Sequence, residues 1–324
     1  MTNFTAGRSL SSGFLASSHR FPDRRALEVE GAHYSYARLR ERACALAATL
    51  QQHMPTADAP LTAVLAHRSI TAFSGILAAL LRGHGYVPLH PNFPAERTAA
   101  MVACAGCSSI IVGKEAIAAL EALLAKCARS LLVVLPASRD VSDLRCTFPN
   151  HTFLSRHDLR AATDWNPVDV DPSDTAYLLF TSGSTGSPKG VQVTHANIRH
   201  FIDAVVDHYN IEEHDRFSQM FDLVFDLSLF DLFVAWERGA CICCPNQGDA
   251  QLPAKFIVES KITIWFSVPS LAIAMKRLRM LETGLDPDLR LSLFCGEALP
   301  TEVVEQWSSA APDSIIENLY GPTE

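Results

Sequence analysis

Short apolar runs alternating with helix-period segments are the feature that most restricts how this chain folds. The runs "LTAVLA" (61–66), "SIIVG" (109–113), "SLLVVLP" (130–136), "AYLLF" (176–180), "ITIWFSVP" (262–269) and "LRLSLFCG" (289–296) are rich in leucine, β-branched and aromatic residues. Runs of this length bounded by turn residues read as buried strands. Between them, "YARLRERACALAATLQQ" (36–52) and "TAFSGILAALLRG" (71–83) carry the apolar spacing of helices. Strands alternating with helices predict an α/β fold with largely parallel sheets. A chain of 324 residues is long enough to divide that fold into two or three lobes.

The stretch "LLFTSGSTGSPKGV" (178–191) interrupts this pattern with a cluster of glycines and hydroxyls around Lys189. Such composition often marks a flexible linker. Here its flanks are ordered: a strand pattern precedes it, and "THANIRHFIDAVVDHY" (194–209) follows. That segment places Ile198, Phe201, Ile202, Val205, Val206 and Tyr209 on one helical face behind Thr194, a plausible N-cap. Glycines let backbone N–H groups approach a ligand, hydroxyls add donors, and the lysine adds positive charge, a combination suited to phosphate oxygens. Lys189 is followed by Gly190 rather than Ser or Thr, so the loop is not a Walker P-loop. No Gly-x-Ser-x-Gly elbow runs through Ser182, Gly183 and Ser184 either.

Net charge is −8, with both signs interspersed, which argues against a general binder of nucleic acid or anionic membrane. No apolar run reaches membrane-spanning length, and the first twenty residues lack a signal-peptide core, so the expected compartment is the cytoplasm. The nine cysteines form no disulfide framework. Neither Cys104 with Cys107 nor the group Cys241, Cys243 and Cys244 is completed at zinc spacing, and both "MVACAGC" and "ACICC" read as buried thiol-containing core.

Four stretches in order, "LLRGHGYVPLHPNFPAER" (80–97), "LLFTSGSTGSPKGV", "FDLSLFDLF" (225–233) and "NLYGPTE" (318–324), resemble the motifs of the adenylate-forming superfamily. "YSYARL" at Tyr34 resembles its opening motif, so the resemblance covers essentially the whole chain. The superfamily includes acyl-CoA synthetases, luciferases and the adenylation domains of nonribosomal peptide synthetases. The resemblance implies two stacked α/β lobes and attack of a carboxylate on the α-phosphate of ATP with Mg²⁺. A carrier-protein phosphopantetheine thiol then takes the acyl group. Thr181, Ser182, Gly183, Ser184, Thr185, Gly186 and Lys189 would hold the β- and γ-phosphates. The "CGEA" stretch with Gly296, Glu297 and Ala298, together with Asn318, would border adenine, and Tyr320 beside Gly321 would stack on it. Thr323 would contact the α-phosphate and Glu324 would ligate Mg²⁺; Lys189, Thr185, Thr323 and Glu324 are the catalytic candidates. Taken singly, Tyr320 would read as a core aromatic and Glu324 as a solvated carboxylate.

Members of the superfamily continue past this glutamate into a β-barrel and a mobile C-terminal domain carrying a second catalytic lysine. The chain 1–324 is therefore expected to be an N-terminal core and a weak catalyst alone, while its start at Met1 favours a free-standing enzyme or a loading module. Within the core, residues 61–210 are expected to form one lobe, and 1–60 with 211–324 a discontinuous second. The glycine-rich loop and the Phe-Asp motif must face one crevice beyond the strand C-termini.

In the amino-acid-activating branch, the aspartate of the Phe-Asp-x-Ser motif meets the substrate ammonium, and Asp226 stands there beside Phe225. The bland alternative for Asp226 is a helix cap. Leu227, Phe230, Phe266, Leu293, Cys295 and Leu319 would line the side-chain pocket, making it small and uncharged. The pattern resembles D-alanine–carrier protein ligases and other free-standing adenylating enzymes, with alanine of either hand, glycine, serine, cysteine or proline as candidate substrates. An acyl- or aryl-CoA synthetase and a non-catalytic nucleotide-binding module are the alternatives.

Overall fold

The computed structural model describes residues 9–54, 60–181, 188–246 and 252–323. It opens with a helix, Ser12–Arg20, and a hairpin of β1 (Arg25–Val29) and β2 (Ala32–Ser35). Glu30 and Gly31 both adopt positive φ (53° and 72°), the backbone a two-residue turn needs to match strand twist. The chain then leaves this sheet. The next seven strands are β3 (Leu61–Leu65), β4 (Gly85–Leu89), β5 (Ser109–Val112), β6 (Leu132–Val134), β7 (Thr152–Leu154), β8 (Thr175–Thr181) and β9 (Lys189–Thr194). They form a sheet in the order β7-β6-β5-β3-β4-β8-β9, parallel except for the β8–β9 pair. Five more strands, β10 (Arg216–Ser218), β11 (Cys241–Cys243), β12 (Ile264–Ser267), β13 (Leu291–Cys295) and β14 (Ile315–Leu319), join the opening hairpin in the order β14-β13-β12-β10-β11-β1-β2. The fold is α/β with two mostly parallel seven-stranded sheets.

Strand periodicity sorts the apolar side chains into three layers. Val64, Ile111, Phe266, Leu293 and Cys295 face a central core shared by both sheets. Their neighbours Ala63, Leu65, Ile110 and Val112 pack into an outer core of the first sheet, and Trp265 and Phe294 into an outer core of the second. Between the sheets lie the Tyr36–His53, Ile70–Leu81 and His195–His208 helices. Eleven of the twelve residues of Ile70–Leu81 are buried, as a helix flanked on both sides requires. Gly85 is needed where β4 meets β8, because a Cβ there would lie 2.4 Å from the Thr175 carbonyl oxygen.

Local details depart from the sequence reading in three places. The glycine-rich stretch is followed by a strand, β9, before the His195–His208 helix begins, because "KGVQVT" pairs antiparallel with β8 from Lys189 to Thr194. Thr194 then caps the helix with Asn197 in a reciprocal box, and Ile198, Ile202 and Val206 are buried. Phe201 is 43% exposed, at the margin of the apolar stripe, with its ring 6.5 Å from that of Phe230. Cys107, Cys241, Cys243 and Cys244 are buried thiols as expected, but Cys104 is exposed. It lies off the Thr98–Met101–Val102 face by which its helix, Ala95–Ala105, meets the core.

Candidate active site

The candidate residues gather at the C-terminal edges of the two sheets, where open α/β sheets bind ligands. Thr181 ends β8 and pairs in register with Lys189 at the start of β9. Ser182, Gly183, Ser184, Thr185 and Gly186 lie outside the described residues, as does Glu324. Lys189 is exposed, and among the described residues no carboxylate pairs with it.

On the second sheet, parallel pairing aligns the other candidates. Phe266 is the register partner of Leu293, and Cys295 that of Leu319, so alternation sends all four to the inner face. Beyond β13, Gly296 turns the chain with φ of 94°, a conformation that strains any residue with a Cβ. Glu297 and Ala298 follow in the open. The Glu297 carboxylate accepts from the Ser270 N–H at 2.8 Å, capping the Pro269–Arg277 helix. That engagement fixes the strand-end turn and takes one oxygen of Glu297 out of play. Asn318 and Tyr320 are exposed, Tyr320 at 97%. A tyrosine so exposed is no core aromatic; its ring faces are free to stack. Gly321 is exposed and Thr323 half-buried beside it.

Phe225 is 56% exposed, and Asp226 and Leu227 are half-buried at the start of a short helical turn. Asp226 accepts from the Leu227 N–H at 3.0 Å, so it does cap, but its charge also bears on residues of both sheets. Burial pushes the Tyr177 hydroxyl of the first sheet above its ordinary range, and the Asp226 charge adds to that shift. The Cys295 thiol of the second sheet rises for the same two reasons, burial first. One carboxylate is thus felt on both sheets. Phe230 and Phe266 meet edge to face at 5.1 Å and are nearly fully buried, filling the interior behind it.

The decisive match comes from sequence: the AMP-binding enzyme family spans residues 14–324. The chain belongs to the AMP-binding enzyme family. It is 32% identical over 269 residues to an L-proline--[L-prolyl-carrier protein] ligase of Pseudomonas fluorescens, covering 80% of this chain and 50% of that protein. It is 26% identical over 306 residues to a D-alanine--D-alanyl carrier protein ligase of Bacillus mycoides, covering 94% and 56%. It superposes on the Vibrio cholerae adenylation domain AlmE in complex with glycyl-adenosine-5'-phosphate with a TM-score of 0.87 at 30% identity, covering 100% of this chain and 61% of that one. The chain thus spans about half the length of the curated relatives it matches and corresponds to their N-terminal core. Among the described residues no helix is long and apolar enough to cross a membrane.

Against this AMP-binding framework, several groups escape the sequence motifs. Glu317 stands beside Leu293 on the inner face, half-buried, and accepts from the Tyr209 hydroxyl at 2.6 Å, so the row is not uniformly apolar. "FDLVFDLSLFDLF" also contains three Phe-Asp-Leu triplets, whose aspartates have three different fates. Asp222 sits against His67 and His90; the His67 hydrogen bond holds its carboxyl below the usual range. Asp226, half-buried, caps the short turn it begins. Asp231 is fully buried with neither oxygen hydrogen-bonded, and burial drives its pKa far upward despite nearby Arg68, so it is carried as a neutral acid. The triplet repeat was the available signal for Asp222, but it does not say which aspartate faces what.

Proposed function

We propose that the protein of which this chain is the N-terminal core activates a small neutral amino acid with ATP. It would release pyrophosphate and pass the aminoacyl group to the phosphopantetheine thiol of a carrier protein. The observation that carries this reading is Asp226, a half-buried carboxylate at the junction of both sheets whose charge bears on Tyr177 and Cys295. A substrate ammonium would complement a negative charge so placed. Fatty and aryl acids bring no cation to it. The proline, D-alanine and glycyl groups in the names of the relatives are all small, in keeping with the space filled by Phe230 and Phe266.

In this reading Tyr320 offers an open ring for adenine, and the Gly296 turn and Asn318 set its edge. Lys189, free of a carboxylate partner among the described residues, places positive charge at the phosphate-facing edge of β8 and β9. There it would stabilise charge that grows on the α-phosphate as the carboxylate attacks. Glu324 would hold Mg²⁺, which when bound offsets phosphate charge. The division into lobes 61–210 and 1–60 with 211–324 is proposed to place the glycine-rich loop and Lys189 on one lobe, and the amino-acid, adenine and Mg²⁺ groups on the other.

The test is ATP–pyrophosphate exchange by the complete gene product over glycine, proline, serine, cysteine and both alanine enantiomers, with leucine, phenylalanine and benzoate as controls. Exchange with at least one small amino acid and little with the controls is expected. Exchange driven by benzoate or leucine alone would overturn the reading in favour of an acyl- or aryl-CoA synthetase. No exchange with any acid, alongside retained nucleotide binding, would favour a non-catalytic module.

A further inference from the structure

His67, His90 and Asp222 form the one group of three or more metal-ligating side chains that converges on a point among the described residues. They come from three separate places: the loop after β3, the loop after β4, and the segment after β10. One donor atom from each lies within 4.8 Å of the other two. His67 Nε2 is 3.5 Å from Asp222 Oδ1, and His90 Nε2 is 3.8 Å from Asp222 Oδ2. Metal–ligand bonds of roughly 2.1 Å at tetrahedral angles set ligand atoms about 3.4 Å apart, close to this spacing. We propose that His67, His90 and Asp222 bind a divalent transition metal that pins the Phe-Asp-Leu segment of the second sheet to the first.

The scaffold around the trio is already held. The His67 N–H donates to Glu115 Oε1 at 2.9 Å, and the next residue, Arg68, donates to the Gln219 and Met220 carbonyls at 3.1 Å each. Those bonds bring the loop after β3 and the segment before Asp222 into register without any metal. The His67 and His90 rings meet edge to face at 5.3 Å, leaving both Nε2 atoms directed toward the carboxylate. Two imidazoles and one carboxylate leave further positions open for water, a donor set that suits Zn²⁺, Co²⁺ or Ni²⁺.

One hydrogen bond opposes capture. The Asn92 N–H donates to His90 Nδ1 at 3.1 Å, which in the neutral ring leaves the proton on Nε2. A metal at Nε2 moves that proton to Nδ1 and forfeits the Asn92 bond. Cations with strong imidazole affinity offset this loss, whereas Mg²⁺ prefers oxygen ligands and does not. The site is therefore distinct in chemistry from a nucleotide-bound Mg²⁺. Its consequence is positional: the Phe225 N–H donates to the Asp222 carbonyl at 3.0 Å, so fixing Asp222 fixes the turn that carries Asp226.

The test uses the tag-free chain, stripped with a chelator and dialysed, then titrated with Co²⁺ by visible absorption and with Zn²⁺ by calorimetry. One equivalent per chain with an intense low-symmetry Co²⁺ band is expected, with Mg²⁺ producing no displacement. His67→Gln, His90→Gln and Asp222→Asn, which keep hydrogen-bonding capacity, should each weaken Zn²⁺ binding at least tenfold, with folding checked by circular dichroism. A Cys104→Ser, Cys107→Ser double variant should bind as the parent does. Failure of the parent to take up stoichiometric metal, unchanged affinity in the histidine variants, or loss of binding in the cysteine variant would overturn the proposal. In those cases the trio is an ion-pair contact between the sheets.

Discussion

Replacing Asp226 by Asn removes one negative charge and little else. The Asn oxygen can still accept from the Leu227 N–H that Asp226 engages at 3.0 Å, so the short helical turn keeps its cap. What is lost is the partner of a substrate ammonium. Removing one side of a buried charge pair costs about 2–5 kcal/mol. Asp226 is half-buried, so solvent screening confines the loss to the lower part of that range. About 2–3 kcal/mol corresponds to roughly 30- to 160-fold in affinity. The assay is a double-mutant cycle by calorimetry on this chain. Alanyl-sulfamoyl-adenosine and its deamino analogue, propionyl-sulfamoyl-adenosine, are titrated into the parent and the Asp226→Asn variant. The parent should prefer the amino compound by that factor and the variant should show no preference, while both bind the deamino compound alike. A preference that survives in the variant would refute the argument, because the ammonium would then be held by another group.

Lys189→Ala should raise the KM for ATP in the complete gene product and leave that for the amino acid nearly unchanged; an unaltered ATP dependence would remove Lys189 from the phosphate site. Glu237→Gln should destabilise the fold by about 2 kcal/mol in urea titration, because Arg199, with a side chain 6% exposed, loses one charged partner at 2.6 Å and keeps the more exposed Asp203. A loss under 1 kcal/mol would show that the pair is dispensable. The buried, neutral His84 and His195 have pKa values pushed down to about 3 and about 4, burial being the main cause in each. The unfolded chain takes up these protons first, so stability should fall as pH drops below about 6.5 and the loss should saturate near the folded values, at up to roughly 2.7 kcal/mol per pH unit for the two together. His195→Asn, whose Oδ1 can replace Nδ1 as acceptor for the Leu10 N–H at 2.9 Å, should about halve that slope; an unchanged slope would place the acid sensitivity elsewhere.

Local chemistry explains which elements were legible. The Thr175–Thr181 strand and the His195–His208 helix with its Thr194 cap depend on side chains within a few residues of one another, and both stand where their patterns place them. β9 escaped because "KGVQVT" is short, half polar and begins at a glycine-rich turn; only pairing with β8 makes it a strand. Cys104 and Phe201 belong to apolar stretches, yet the helix faces that reach the core exclude the first and only graze the second. Nothing in the linear sequence marks Glu317; only strand register sets it next to Leu293.

The sequence by itself determined the α/β class, the alternation that sorts side chains to either face of each sheet, and the motifs that point to a phosphate-binding edge. These follow from periodicity and short-range backbone preference, which a linear reading captures. Tertiary structure alone decided that β1 lies beside β11 in the second sheet, and that three identical Phe-Asp-Leu triplets have unlike roles. The aspartates differ only in what the other elements bring near them. His67 and His90 reach Asp222, Asp226 stands half-buried at the start of a short turn, and Asp231 is fully buried with neither oxygen hydrogen-bonded. The free energy of a carboxylate depends on its dielectric surroundings and partners, and those are set by residues far away in sequence.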